Sequence, residues 1–421
     1  MTFSHSRGLG KIFSFGVFLF LLTLVFYPVK ALGMGGKAFQ EHGLHLLAPK
    51  GRWAVRMEVR INGYHSRYET SGKIKDLDAD LDRIPLNNNV FPALSALGGN
   101  ASLGITALDT EVDVHYAEWT LGYGLTDNLT IGMILPYGKS RTKVNFSVSG
   151  GNTGFNPAFD PSQPVDAGNF PFTPVGGGAS QAVGTEGVRQ ILSDPVFGFA
   201  YKAIKNTEVS GFDDPTLGLL WRFYQGDQDS LVYGFGIRFG IAKKDDVDNL
   251  LDVPIGDGST DVRNRIEYYR SLGHGFDLRL LFESKIQLSD KATLRVPRPG
   301  ELLPPADSKE RLSRNLGNIY EHDIEIGYSL GAWRTSATWH RYDKGGDRYI
   351  SVKGTDTSEL RKNTQAKADQ WRLSLSWSGI GAWRKGLLPL PLIAGLEHQK
   401  TFDGRNFPAV DDTYLRVTSF F

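Results

Sequence analysis

The chain has 421 residues, with 47 Lys and Arg against 46 Asp and Glu, and no cysteine. A formal net charge of +1 offers no general attraction for nucleic acid. The lack of thiols excludes disulfides, a thiolate nucleophile and covalent haem attachment. Glycine, at 49 residues, and aromatics, at 12%, are too frequent for a string of two or three ordinary soluble domains.

The N-terminus carries Arg7 and Lys11, then an apolar run from Ile12 to Tyr27, then small residues at Val29 and Ala31. This is the layout of a secretory signal, expected to be cleaved near Ala31 so that residues 1–31 are lost. The run falls short of the roughly 20 apolar residues of a spanning helix. Residues 32–50 form a short periplasmic or plug segment, and 51–421 the body of the protein. His42 and His45 in that segment lack a third ligand at suitable spacing, so no metal is expected.

From residue 51 the sequence alternates. Trp53, Val55, Met57, Val59 and Ile61 take turns with Arg52, Arg56, Glu58, Arg60 and Asn62. One face is apolar and the other charged, which is the period of a strand with different surroundings on its two sides. The same pattern predicts strands over about 52–63, 112–125, 129–147, 215–225, 230–243, 262–272, 276–288, 319–330, 333–342, 368–378, 387–400 and 412–421. Short turns at 125–128, 226–229, 273–275 and 330–332, and a longer one near 378–386, alternate with long connections. The long ones cover about 64–111, 148–214, 244–261, 289–318, 343–367 and 401–411. Segregated loop lengths mark an all-β, transmembrane antiparallel β-barrel with periplasmic turns and extracellular loops. About 12 strands are expected, or 14 if a hairpin lies within 148–214. An even count leaves both termini in the periplasm.

In that reading the apolar face meets lipid. Reversing the register would put Arg56 and Arg60 into hydrocarbon, at about 2–4 kcal/mol for each midplane arginine. Trp333 and Trp339, and likewise Trp371 and Trp377, are six residues apart on one face, as rings in the two interfacial girdles would be. The chain ends on an alternating strand with Phe421 last, which resembles the signal read by the barrel-assembly machinery.

The lumen face is expected to carry Arg56, Glu58, Arg60, Arg222, Arg238, Arg279, Glu283, Glu321, Asp323, Glu325, Arg334, His340, Arg372 and Arg416. Such charges either form a selective constriction or pair with one another and fill a narrow barrel. Within 148–214, Ile191, Leu192, Val196, Phe197 and Phe199 lie around Pro195 and form a candidate apolar lid, or else pack on the barrel mouth. Asp76, Asp78, Asp80 and Asp82 alternate in the first long loop. Leu81 and Asn87 stand where an EF-hand needs Gly and Glu, so a solvated loop is expected there. No GxSxG motif is present, and Ser336 and His340 share one strand without special framing, so no enzyme activity is expected.

Tyr123-Gly124-Leu125-Thr126-Asp127 followed by Leu135-Pro136-Tyr137, then Asp213-Asp214-Pro215 and the stretch GDGSTDV at 256–262, together resemble the MetA-pathway phenol-degradation family of outer-membrane β-barrels, of the FadL-like transporter group. The resemblance spans most of residues 110–290 and marks turns and strand starts rather than chemistry. FadL channels carry a longer N-terminal hatch and more strands, so their fatty-acid mechanism is not carried over. The resemblance implies a passive channel for small hydrophobic or aromatic compounds, needing no cofactor. The alternatives are an aqueous porin, general or anion-selective, or a non-transport scaffold such as the sheath of an electron-transfer conduit. Expected partners are outer-membrane lipid and lipopolysaccharide, the barrel-assembly machinery and a small solute, with no nucleic acid. The expected location is the outer membrane of a Gram-negative cell.

Overall fold

The structure, a computed structural model, describes residues 47–421 except residue 252. The expected leader, most of segment 32–50, and His42 and His45 lie outside the described residues.

Twelve strands close into one antiparallel barrel. They are β1 (Trp53–Tyr64), β2 (Gly104–Thr126), β3 (Leu129–Gly150), β4 (Thr216–Gln225), β5 (Asp229–Arg238) and β6 (Asp261–Gly273), then β7 (Phe276–Gln287), β8 (Ile319–Leu330), β9 (Trp333–Lys344), β10 (Ala366–Ser378), β11 (Leu392–Arg405) and β12 (Asp411–Phe420). Each strand pairs with its sequence neighbours. β1 also pairs with β12 through Glu58 opposite Arg416, so no edge is left open. Closure is obligatory in a bilayer, where an unpaired backbone group has no water to bond. At the seam Trp53 and Phe421 exchange two backbone hydrogen bonds of 2.9 and 3.1 Å, which places the terminal phenylalanine at the periplasmic rim.

The pleat sorts the side chains as the alternation demands. Leu217, Trp221, Leu280, Ile324, Ile326, Leu373 and Leu396 stand exposed on the outer wall. Trp333 faces Trp377 and Trp339 faces Trp371 across the β9–β10 pair, two aromatic levels six residues apart. A strand of 12 residues such as β7 has a length of about 40 Å, which a tilt of about 40° reduces to about 30 Å, the thickness of the hydrocarbon. Leu280→Arg, on the lipid face near the middle of β7, is expected to cost about 2–4 kcal/mol. Urea unfolding in lipid bilayers measures it, and a cost below about 0.5 kcal/mol would mean that this face does not meet hydrocarbon.

The structure departs from several of the expected strand ends. β2 and β3 run on as a long hairpin, pairing Gly104–Glu111 with Lys143–Gly150 beyond the other strands. The eleventh strand starts at Leu392 rather than 387, because Pro389 and Pro391 donate no backbone hydrogen bond and a short helix occupies Ile380–Arg384. β5 stops at Arg238 rather than 243, where the chain turns inward. Beside β3, the segment Thr207–Phe212 and β4 share one wall position, separated by Asp213-Asp214-Pro215.

Above the barrel the long loops build a second core. Leu94, Leu103, Val148, Phe172, Val188, Ile191, Leu192 and Tyr201 are buried together in this extracellular cap. Its helix α1 (Gly184–Ser193) turns Val188, Ile191 and Leu192 inward at the i, i+3, i+4 spacing of an apolar stripe. A small sheet of Asp290–Arg295, Lys309–Asn315 and Arg348–Ile350 stands beside it.

Candidate functional site: the lumen and its extracellular mouth

The inward positions divide the lumen in two. From β6 round to β1 the wall is charged. From β2 to β5 it carries Gly122, Gly132, Gly218 and Gly236, joined in one row of register partners, with Ile134, Thr216, Leu220 and Val232 around them and Glu118, Arg222 and Arg238 as its charged positions.

The charged wall is a network of pairs. Arg416 donates to Glu58 at 2.7 Å, and Arg56 donates to the same carboxylate at 3.0 Å. Arg279 bridges Glu267 and Glu325, both at 3.0 Å, with Asp323 at 3.5 Å. Arg334 donates to Asp277 and Glu325 at 2.6 Å each. Arg372 donates to Gln399 at 2.6 Å and lies 3.7 Å from Asp323. His340 Nδ1 shares a 2.6 Å hydrogen bond with Asp323, and Lys285 donates to Glu321 at 2.6 Å. Glu283 lies within 4 Å of both Lys285 and Arg265. Among the described residues Arg60 has no carboxylate partner of this kind. Its guanidinium stacks between Tyr414, 4.4 Å away, and Tyr116, 5.7 Å away. Glu58, Asp323 and Glu325 are all buried. Such charges need partners, and here each has at least one.

Two of the expected lumen arginines do other work. Arg222 sits near the periplasmic end and holds the β2–β3 turn, donating to Asn128 Oδ1 at 2.8 Å and to the Asp127 carbonyl at 2.9 Å. Arg238, at the top of β5, donates to Asp257 at 2.9 Å, to Asp214 at 3.4 Å and to Asp261. Ser336 and His340 do not meet, since the Ser336 hydroxyl bonds Ser374 at 2.6 Å.

Both ends of the lumen carry inserted backbone. At the periplasmic end Ala48 is buried against the inner wall, and its N–H donates to Thr130 Oγ1 at 2.9 Å. A side chain at Gly124 would lie 2.2 Å from the Pro49 carbonyl oxygen, so only glycine admits this contact. At the extracellular end the β5–β6 connection dips inward, and a side chain at Gly138 would lie 2.5 Å from Ile255 Cγ2. Alternation did not point to this strap, because it has none. The acidic, glycine-rich stretches at 211–215 and 256–261 were its only trace.

The five candidate lid residues are spread through the cap. Ile191 and Leu192 are buried in its core, and Phe197 and Phe199 pack against that core from its edge. Phe197 stacks near Phe172 at 6.0 Å, Phe199 meets Phe91 edge-on at 5.5 Å, and Val196 is half-buried. The acidic loop run is folded onto the long hairpin. Asp78 accepts from the Thr110 N–H at 2.7 Å, Asp82 from the Leu108 N–H at 2.9 Å, and Asp80 from Lys75 at 2.7 Å.

The cap is tied to the β5–β6 connection by Asp248, which accepts from Arg295 and Lys309 at 2.6 Å each. Burial pushes the Asp248 carboxyl up, but the hydrogen bonds and charges of Lys309 and Arg295 outweigh it and hold it below the ordinary aspartate range. A lowered carboxylate stabilises the fold above its unfolded value and loses that contribution as pH falls through the folded one. The cap should therefore loosen below about pH 4. Limited proteolysis across pH 3–7 checks this, and Asp248→Asn should flatten the profile.

Taken together, the molecule is a transmembrane β-barrel of the outer-membrane class, with a paired charged lumen and an extracellular cap. Among solved structures it is similar to the COG4313 outer membrane channel from Pseudomonas putida F1, at 12% identity and a TM-score of 0.52, over 93% of this chain and 100% of that one. The Ralstonia pickettii toluene transporter TbuX aligns at 10% identity over 90% of each chain, with a TM-score of 0.33. A Pseudomonas aeruginosa FadL homologue aligns at 9% identity over 92% of this chain and 95% of that one, with a TM-score of 0.34. No protein-family profile and no curated protein matches the sequence.

Proposed function

We propose that the chain is a passive outer-membrane channel for small hydrophobic or aromatic compounds. The observation that carries this reading is the division of the lumen. Most arginines that would make an anion filter are neutralised by carboxylates, Arg60 is stacked on tyrosines and Arg222 is held by the β2–β3 turn, while the β2–β5 wall, Glu118 apart, offers glycine, valine, leucine and isoleucine to a passing solute. A filter for ions needs charge of one sign left free. The likeness to the P. putida channel supports the fold on which the reading rests.

Two measurements test it together. In planar bilayers the purified barrel should give small conductance with little ion selectivity. In cells whose lipopolysaccharide excludes N-phenyl-1-naphthylamine, its expression should raise uptake of that probe several-fold over a vector control. Large, steady, anion-selective steps without probe uptake would instead establish an aqueous porin.

A further inference from the structure

The β5–β6 connection is fastened at its base and unfastened at its tip. Asp214, fully buried at the start of β4, accepts from the Ala242 N–H at 2.7 Å with one carboxylate oxygen and from the Gly258 N–H at 3.1 Å with the other. Arg238 donates to Asp257 and Asp214, and Arg314 of the small sheet donates to the Asp257 carbonyl at 2.9 Å. These are charge-assisted or buried bonds, the strong kind. Between them, Val253, Pro254, Ile255 and Gly256 make no hydrogen bond among the described residues. Gly256 lies close against Asp213 and Ala242, and Ile255 is seated on the barrel wall by an apolar contact. Ile255 occupies the space left by the missing side chain of Gly138, an inward position of β3, with Cγ2 and Cδ1 at 2.5 and 3.0 Å from where a Cβ would stand. The Tyr116 ring borders the same seat at 3.3 Å, and its hydroxyl is tied to Asp213.

We propose that residues 253–256 are the selectivity constriction of the channel, and that Ile255 on its Gly138 seat is the residue that decides which solutes pass. The inference rests on the channel reading above and deepens it. A tip without hydrogen bonds among the described residues, seated by the apolar side chain of Ile255 on a clamped base, yields to a solute that replaces that contact. A compact apolar or aromatic molecule can take the place of the Ile255 side chain against Gly138 and Tyr116. A hydrated ion or a sugar is a poor replacement, because it would lose its water against the apolar surface that the Ile255 side chain covers. Asp213-Asp214-Pro215 and Gly256–Asp261 thereby acquire a shared purpose, the anchoring of the strap.

The natural chain has no cysteine, so a disulfide can be placed cleanly. The double variant Gly138→Cys/Ile255→Cys should cross-link on oxidation in the folded, heat-modifiable barrel. Oxidation should cut N-phenyl-1-naphthylamine uptake by cells at least five-fold, and reduction should restore it. Ile255→Gly alone should admit larger aromatic probes than the natural protein. Uptake that is equally fast in the cross-linked and reduced forms overturns the constriction while leaving the channel reading intact. A folded barrel in which the two cysteines do not cross-link also overturns it. Absence of uptake by the natural protein and by Ile255→Gly alike would remove the channel reading, and the constriction with it.

Discussion

Arg279→Met is expected to destabilise the barrel by about 3 kcal/mol. Arg279 is the hub of the lumen network, within 3.5 Å of Glu267, Asp323 and Glu325. Removing it leaves three acidic groups crowded on one wall, with the cation between two of them gone. Breaking a buried ion pair from one side costs about 3–5 kcal/mol, because the surviving charge is left uncompensated. The lower end applies here, since Arg279 keeps 16% of its side-chain surface accessible and water can enter the space it vacates. Arg265 and Arg334 still reach Glu267 and Glu325, which also moderates the loss. Urea unfolding of the reconstituted barrel measures the change. A loss below about 1 kcal/mol would show that the lumen solvates these carboxylates freely. The paired network would then contribute little to stability, and the arginines would return as candidates for an ion filter.

The sequence carried the barrel because a strand with lipid on one side and a charged lumen on the other must alternate. Trp53 through Asn62 and Trp371 through Trp377 do so without interruption. What alternation cannot carry is the partner of each inward charge. Glu58 meets Arg416, 358 residues away, only because closure brings β12 beside β1 in that register. A lumen full of both signs could be read from the sequence, whereas the hub at Arg279 could not. The cap was hidden for another reason. Its core gathers Leu94, Leu103, Val148, Phe172 and Ile191 from four stretches of chain, and no local period tells which of them meet. Ile191 and Leu192 stand out in the sequence as apolar residues of a candidate lid around Pro195. Their burial within the cap depends on segments such as Leu86–Leu103, which carry no matching signal. Arg238 shows the limit of inference from parity. Its inward position was readable, but its use as the strap's clamp depends on Asp257 returning to it from a loop.

Ile191→Asp is expected to unfold the cap and leave the barrel standing. Ile191 is 1% exposed, among Val188, Leu192 and Leu103. A carboxylate there has no cation to meet, and burying it unpaired costs more than a small core of this kind supplies. The barrel does not share that core. Its strands are held by their own hydrogen-bond ladders and by the lipid on their outer face, so the loss should stop at the base of the long β2–β3 hairpin. Intact cells treated with protease should show cleavage within 150–206 in the variant and not in the natural protein. The surviving barrel should keep its heat-modifiable migration. Uptake through the lumen should respond as well, because Leu250 of the β5–β6 connection packs against the cap core. Melting the cap frees one side of the strap whose tip rests on Gly138. Faster and less selective uptake by Ile191→Asp would mean that the cap restrains the strap from above. If the variant instead fails to assemble, cap and barrel form one folding unit, and the cap is part of what makes the barrel stable.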